Sequence, residues 1–321
     1  MKLEDDHQNQ EEEDLKNKTN IRLIIHVICI VGFLCCTVWL IWYLFSIFRS
    51  NYLLEDLKEN FVTELTPSTI FVQPTEQPTD APAAPTPEPN LFGDRAYPDF
   101  ERLDVPRLEL DFDGLQEVNP DVYAWIYVPD TAINYPITQR AGDADYYLLR
   151  DLQGNSNAYG TIFTQYYNHK DWLDNLTVIY GHNMRDGSMF AALHYFEDSK
   201  FFDEHPYIYI YTPEYTLAYK IFAAHEYPDV HLLLSYTMND RGTFEQYLEQ
   251  VLSLDGLRDN INRDIEISGD DHVIALSTCM GSGRTEYRYI VQAKLTAVEK
   301  TAYAVEAADN EGLSEKADAG E

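Results

Sequence analysis

A mainly β domain behind a single membrane-spanning helix is the fold class that the sequence predicts. Three observations carry it. Short β-like runs alternate with turn signals between residues 124 and 296, the pattern of a sandwich or barrel. One unbroken apolar run near the N-terminus, residues 23–48, is long enough to cross a bilayer. Between the two lies a Pro- and Thr-rich stretch with almost no apolar side chains, which cannot build a core.

Residues 1–22 are polar and charged (Asp5, Asp6, then Glu11 to Asp14) without hydrophobic periodicity. The run LIIHVICIVGFLCCTVWLIWYLFSIF (23–48) follows. At about 1.5 Å per residue it spans a hydrocarbon core of about 30 Å with some tilt. A cleaved signal peptide has an apolar region of only about 7–15 residues, and no small-x-small site follows this one. It reads as a retained anchor, with Trp39, Trp42 and Tyr43 at the far interface. Lys16, Lys18 and Arg22 before the span outweigh Arg49 and Lys58 after it. That bias predicts a cytoplasmic N-terminus and an extracellular domain.

Residues 49–98 form the linker, in which 51–65 continue as a short helix and TPSTIFVQPTEQPTDAPAAPTPEPN (66–90) is an extended, semi-rigid spacer. Residues 301–321 are an acidic, Ala- and Gly-rich tail expected to be disordered. The folded domain is therefore expected over 99–300. It opens on a helix carrying Phe112, Leu115 and Val118, stopped by Pro120. Strands are expected at Ala124–Val128, Ile133–Ile137, Gly160–Thr164, Leu176–Tyr180, Tyr207–Tyr211, Tyr215–Ala223, His272–Thr278 and Tyr289–Thr296. Helical spacing interrupts them at Ser188–Phe196 and at Thr243–Leu252, where Phe244, Tyr247, Leu248 and Val251 share a face.

Acids outnumber bases 54 to 23, for a net charge of −31. This argues against nucleic acid, because phosphate binding needs clustered Lys and Arg; the acidity suits solubility at a crowded anionic surface. Of the four cysteines, Cys29, Cys35 and Cys36 lie in the apolar run. Cys279 alone lies in the domain, so no disulfide can form within it. A lone cysteine in an exported domain points to a reactive thiol or to intermolecular pairing.

The segment HVIALSTCMGSGRTEYRYIVQAKL (272–295) reads as strand, loop, strand. Cys279 ends the first strand and Arg288 begins the second. If the two pair as antiparallel neighbours, thiol and guanidinium meet at one end of the sheet, where a nearby cation favours the thiolate. The ordinary role of a lone cysteine is that of a small buried hydrophobe. A cysteine nucleophile also needs a proton partner. His169, His182, His194, His205, His225, His231 and His272 are available. His182 stands out because it follows the Leu176–Tyr180 strand directly after Gly181, but spacing leaves the others open. Neither HExxH nor CxxC is present, and Gly281 and Gly283 form no phosphate loop.

LSTC (276–279) followed by RYIVQAKL (288–295) resembles the signature of the sortase family, and VIYGHNM (178–184) resembles its histidine segment. LQEVNPDVYAWIYVPDTAINYPITQ (115–139), MFAALHYFEDSKFFDEHPYIYIYT (189–212) and the helix at 243–252 resemble class B members in particular. The resemblance covers 99–300. It implies a closed β-barrel of about eight strands with peripheral helices. It also implies Cys279 as nucleophile, His182 as acid/base, Arg288 as the cation that aligns substrate and steadies the oxyanion, and Ser277 and Thr278 in the substrate groove. Arg284 competes for the arginine role, but Arg288 starts the matching strand. DADYYL carries Ala144 where relatives often have Asn, which puts one substrate contact in question. The implied reaction is cofactor-free transpeptidation. Secreted proteins with a C-terminal sorting motif are cleaved through a thioacyl enzyme and passed to an amine of a peptidoglycan precursor or a pilin. A hydrolytic cysteine peptidase and a non-enzymatic anchored surface protein are the alternatives.

Overall fold

The computed structural model describes residues 2–65, 107–281 and 286–301. The spacer 66–90, Arg284 and the tail from residue 302 onward lie outside the described residues. Helix α1 (Lys2–Phe61) contains the apolar run. Its segment Ile21–Phe45 is, among the described residues, the one stretch long and apolar enough to cross a membrane.

Residues 1–53 and 54–321 form two compact units. The second begins with the last turns of α1. There Leu57 is buried, Lys58 lies over the Tyr135 ring, and the Phe61 carbonyl accepts from Asp111 N at 3.1 Å. Strand β1 (Val62–Leu65) pairs antiparallel with β2 (Arg107–Leu110). Helix α2 (Phe112–Val118) starts where Asp111 caps Gly114 N at 2.9 Å, and it turns Phe112 and Leu115 inward.

Next come β3 (Val122–Tyr127), β4 (Asn134–Thr138), β5 (Phe163–Thr164) and β6 (Leu176–Tyr180). Helix α3 (Ser199–Glu204), β7 (Tyr207–Tyr211) and β8 (Tyr215–Pro228) follow. The chain then runs through α4 (Leu232–Ser235), α5 (Arg241–Leu252), β9 (Asn260–Ile261), β10 (Val273–Cys279) and β11 (Tyr287–Lys300). The strands neighbour one another in the order β11-β10-β6-β5-β4-β3-β7-β8, and β8 pairs back onto β11. An eight-stranded barrel is closed in this way, with β9 attached outside the ring on β8. Closure leaves no ring strand with an unpaired edge. The β4–β5 and β6–β10 pairs are parallel and the other pairs antiparallel.

Trp125, Tyr219, Phe222 and Tyr289 are almost wholly buried. On one side of the barrel, α5 presents Phe244, Tyr247, Leu248 and Val251 to Leu176, Val178, Ala275 and Ile290. Each such large side chain stabilises the fold by about 1.5–3 kcal/mol. Asp240 caps α5 on Thr243 N, and Arg241 pairs with Glu245 one turn on. The helical spacing at Ser188–Phe196 resolves into a 3-10 turn, Ala191–Glu197, which runs into α3 through an Asp198 cap. The predicted fold class is the one found.

Candidate active site

β10 reads VIALSTC and is buried until Cys279, which emerges half-buried at its end. A continuous apolar run of this kind suits a strand flanked on both sides, here by β6 and β11. Register then sets the site. Cys279 stands opposite Arg288 on β11, whose Nη1 donates to Sγ at 3.4 Å. On the other side the parallel pairing ends at Ser277 opposite Tyr180. Gly181 N there donates to Ser277 O at 3.1 Å, and His182 is the next residue. Because β6 and β10 leave the barrel at the same rim, Cys279, Arg288 and His182 line one groove of about 380 Å³.

Gly181 is required by close approach. A Cβ there would stand 2.5 Å from Ile162 Cδ1 and 2.6 Å from Phe190 Cγ. The loop beyond it folds back, with Phe190 N donating to His182 O at 2.9 Å and Asn183 bridged to Met189. Met189 takes a left-handed backbone (φ 56°) and donates its N–H to Tyr135 Oη at 3.0 Å. Asp186 anchors the same loop. Burial works to raise its carboxyl, but hydrogen bonds from Ser188 and Tyr159 outweigh this and hold it below the usual carboxylate range.

His182 Nε2 lies 2.6 Å from the Leu148 carbonyl. A carbonyl only accepts, so Nε2 carries the hydrogen and Nδ1 is left for proton exchange. Leu148 sits on the 3-10 turn Tyr146–Leu149. Tyr147 Oη bonds Asp121 and Asn119, and the Tyr146 ring takes guanidinium groups from Arg140 and Arg150. Ala144 does not line the groove, whereas Asp145 does, accepting from Gln165 Nε2 at 2.9 Å.

Arg288 is shared, its Nη2 lying 2.8 Å from Asp229 Oδ1 just past β8. Ser277 and Thr278 both line the groove. Among the described residues, Thr278 Oγ1, Gln165 Oε1 and His231 Nε2 are buried groove atoms with no hydrogen-bond partner within the protein. Burial lifts the Tyr180 hydroxyl well above its ordinary range, with Asp145 helping and Arg288 opposing. Tyr227 is pushed up to about 12 by burial and by Tyr236.

Most of the remaining histidines have structural partners. His169 pairs with Asp174, whose hydrogen bond and charge raise it. His205 pairs with Asp130, His225 bonds Gln292 in the core, and His231 caps α4. His194 is the exception, reaching the Cys279 backbone carbonyl with Nε2 at 3.0 Å. Sequence reasoning missed this, along with Leu148, Asn183 and Asp229. The one available signal was that Asn183 follows His182 directly. Among the described residues no group of three or more His, Cys, Asp or Glu is arranged to hold a metal.

A thiol flanked by an arginine and a histidine on the rim of a closed barrel defines a cysteine acyl-transfer enzyme. The sortase domain profile matches residues 126–296. Sortase B of Listeria monocytogenes is 36% identical over 182 residues, covering 56% of this chain and 72% of that protein. Sortase B of Staphylococcus aureus is 26% identical over 188 residues, covering 58% and 75%. Sortase B of Clostridium perfringens superposes with a TM-score of 0.52 at 27% identity, over 58% of this chain and 100% of that one. The chain belongs to the sortase family of cysteine transpeptidases, in its class B.

Proposed function

We propose that Cys279 is the nucleophile, His182 the acid/base and Arg288 the oxyanion cation for a peptide bond in the C-terminal sorting motif of secreted proteins. The observation that carries this reading is the cross-strand pair of Cys279 and Arg288, with His182 two residues past the end of the adjoining parallel strand. Cys279 passes its thiol proton to His182 Nδ1, and the sulfur lone pair forms the C–S bond while the carbonyl π pair moves onto oxygen, beside the Arg288 guanidinium. One donor in such a hole is worth about 10²–10³ in kcat. Collapse expels the amine of the next residue, which takes a proton from His182 Nδ1. An incoming amine then attacks the thioester and gives its proton back to Nδ1, and sulfur leaves as thiolate. The steps balance on these side chains alone.

Ser277 and Thr278 line the bound peptide, and the unpartnered Thr278 Oγ1, Gln165 Oε1 and His231 Nε2 meet its polar groups. The accepting amine belongs to a peptidoglycan precursor or to a pilin lysine. The apolar run of α1 serves as a single-pass anchor with the N-terminus cytoplasmic, and the Pro- and Thr-rich 66–90 segment as a spacer holding the catalytic domain outside. The test is incubation of the detergent-solubilised protein with sorting-motif peptides of the NPxTN and LPxTG types and a set of amines, with product read by mass. Ligated product that disappears in Cys279→Ala, and falls about 10²–10⁴-fold in His182→Ala, is expected. Hydrolysed peptide in large excess despite a good amine would favour the peptidase reading, and activity in Cys279→Ala would sink both.

A further inference from the structure

The parallel ladder between β6 and β10 has its last backbone bond at Gly181 N to Ser277 O. Beyond it a side chain takes over. Asn183 Nδ2 donates to the Cys279 carbonyl at 2.8 Å, tying the residue after His182 to the thiol-bearing residue itself. Its second hydrogen faces His194 Nε2 at 2.9 Å. His194 comes from the 3-10 turn behind, where Nδ1 meets Glu197 Oε1 at 2.6 Å and the ring stacks on buried Tyr289, with centroids 5.1 Å apart.

Proton accounting orders the set. Glu197 accepts at Nδ1, and Nε2 lies near both Asn183 Nδ2 and the Cys279 carbonyl, at 2.9 and 3.0 Å. The neutral ring accepts from Asn183 at Nε2, the charged ring donates from Nε2 to that carbonyl, and in both forms Asn183 Nδ2 donates to the carbonyl. A flipped amide would set Oδ1 against the Cys279 carbonyl, so the orientation of Asn183 is determined. Glu197 is itself approached by Arg258 at 3.9 Å, and Asn260 bonds its carbonyl. Neither Asn183 nor His194 lines the groove.

We infer that Asn183, held by His194 and Glu197, is a positioning residue. It fixes the Cys279 backbone, and with it the direction of Sγ, relative to His182 and Arg288. The inference rests on Cys279 and His182 being the reacting pair. A displacement of about 1 Å at such a pair costs up to about 100-fold.

The test is the rate of iodoacetamide alkylation of Cys279 in the full-length protein in detergent, followed by mass, with thermal midpoints alongside. Asn183→Ala is expected to slow alkylation about tenfold and to shift the midpoint by less than about 4 °C. On a His182→Ala background it is expected to add less than about twofold. His194→Phe, which keeps the stack on Tyr289, is expected to slow the reaction as well, and His194→Gln, which restores an amide, to recover part of the rate. Wild-type rates in Asn183→Ala, additive effects on His182→Ala, or a His194→Phe variant as fast as wild type would each overturn the positioning role. A rate insensitive to His182→Ala would instead overturn the assignment of the reacting pair.

Discussion

Arg288 divides its guanidinium between a sulfur and a carboxylate, Nη1 on Cys279 and Nη2 on Asp229. A planar fork holds two partners at a fixed spacing, which a compact ammonium with three donors on one nitrogen does not reproduce. Arg288→Lys is therefore expected to lower kcat for peptide transfer about 100-fold despite keeping the charge. Asp229→Asn loosens the fork without removing it. The pair is partly exposed, so a fall of only about 2- to 5-fold is expected. Steady-state kinetics with one sorting peptide separates the two variants, and equal losses would refute this division of roles.

At the scale of elements, the loop from Gly181 to Phe190 sets the place of the imidazole. Gly181→Ala drives a Cβ into Ile162 and Phe190 and is expected to cost about 1–3 kcal/mol in a denaturant titration. The loss of transfer activity should exceed what that destabilisation alone explains, because the clash moves His182. Asp186, held below its ordinary range, contributes stability that is complete above its unfolded value and is lost as pH falls through the lowered folded one. The thermal midpoints of wild type and Asp186→Asn should thus differ at neutral pH and converge once the pH falls below the ordinary carboxylate range.

Elements of this kind were unevenly legible in the sequence. β6 and β7 end where their β-branched and aromatic runs end. β8 and β11 outrun their apolar patterns, because pairing with each other to close the ring supplies hydrogen bonds that hydrophobicity does not signal. The four-residue β1 and β2 are legible only together, and they lie on either side of the spacer. That Cys279 and Arg288 meet at one end of the sheet was legible because strand ends mark them, whereas spacing left His182 one of seven histidines until the family resemblance singled it out. The contacts of Asn183 and His194 with the Cys279 carbonyl were not legible, since they span 96 and 85 residues that only register reveals.

For the whole molecule, the catalytic unit begins earlier than the spacer suggests. Leu57 is buried, and Phe61 and β1 bind the α2 end of the domain. A fragment starting at Leu54 is expected to exceed one starting at Asp99 by about 1.5–3 kcal/mol for Leu57 alone. Urea midpoints of the two fragments check this, and equal midpoints would show that the N-terminal strand adds nothing.

The parallel seam between β6 and β10 bears on the life of the chain before it is folded. Until β10 docks there the thiol has no imidazole beside it, and until β11 is made it has no guanidinium across from it. The imidazole arrives through a pairing distant in sequence, which forms late, whereas Arg288 lies nine residues on, across a hairpin. A chain still being synthesised therefore carries its thiol without either neighbour, and the last ring strand brings the second of them.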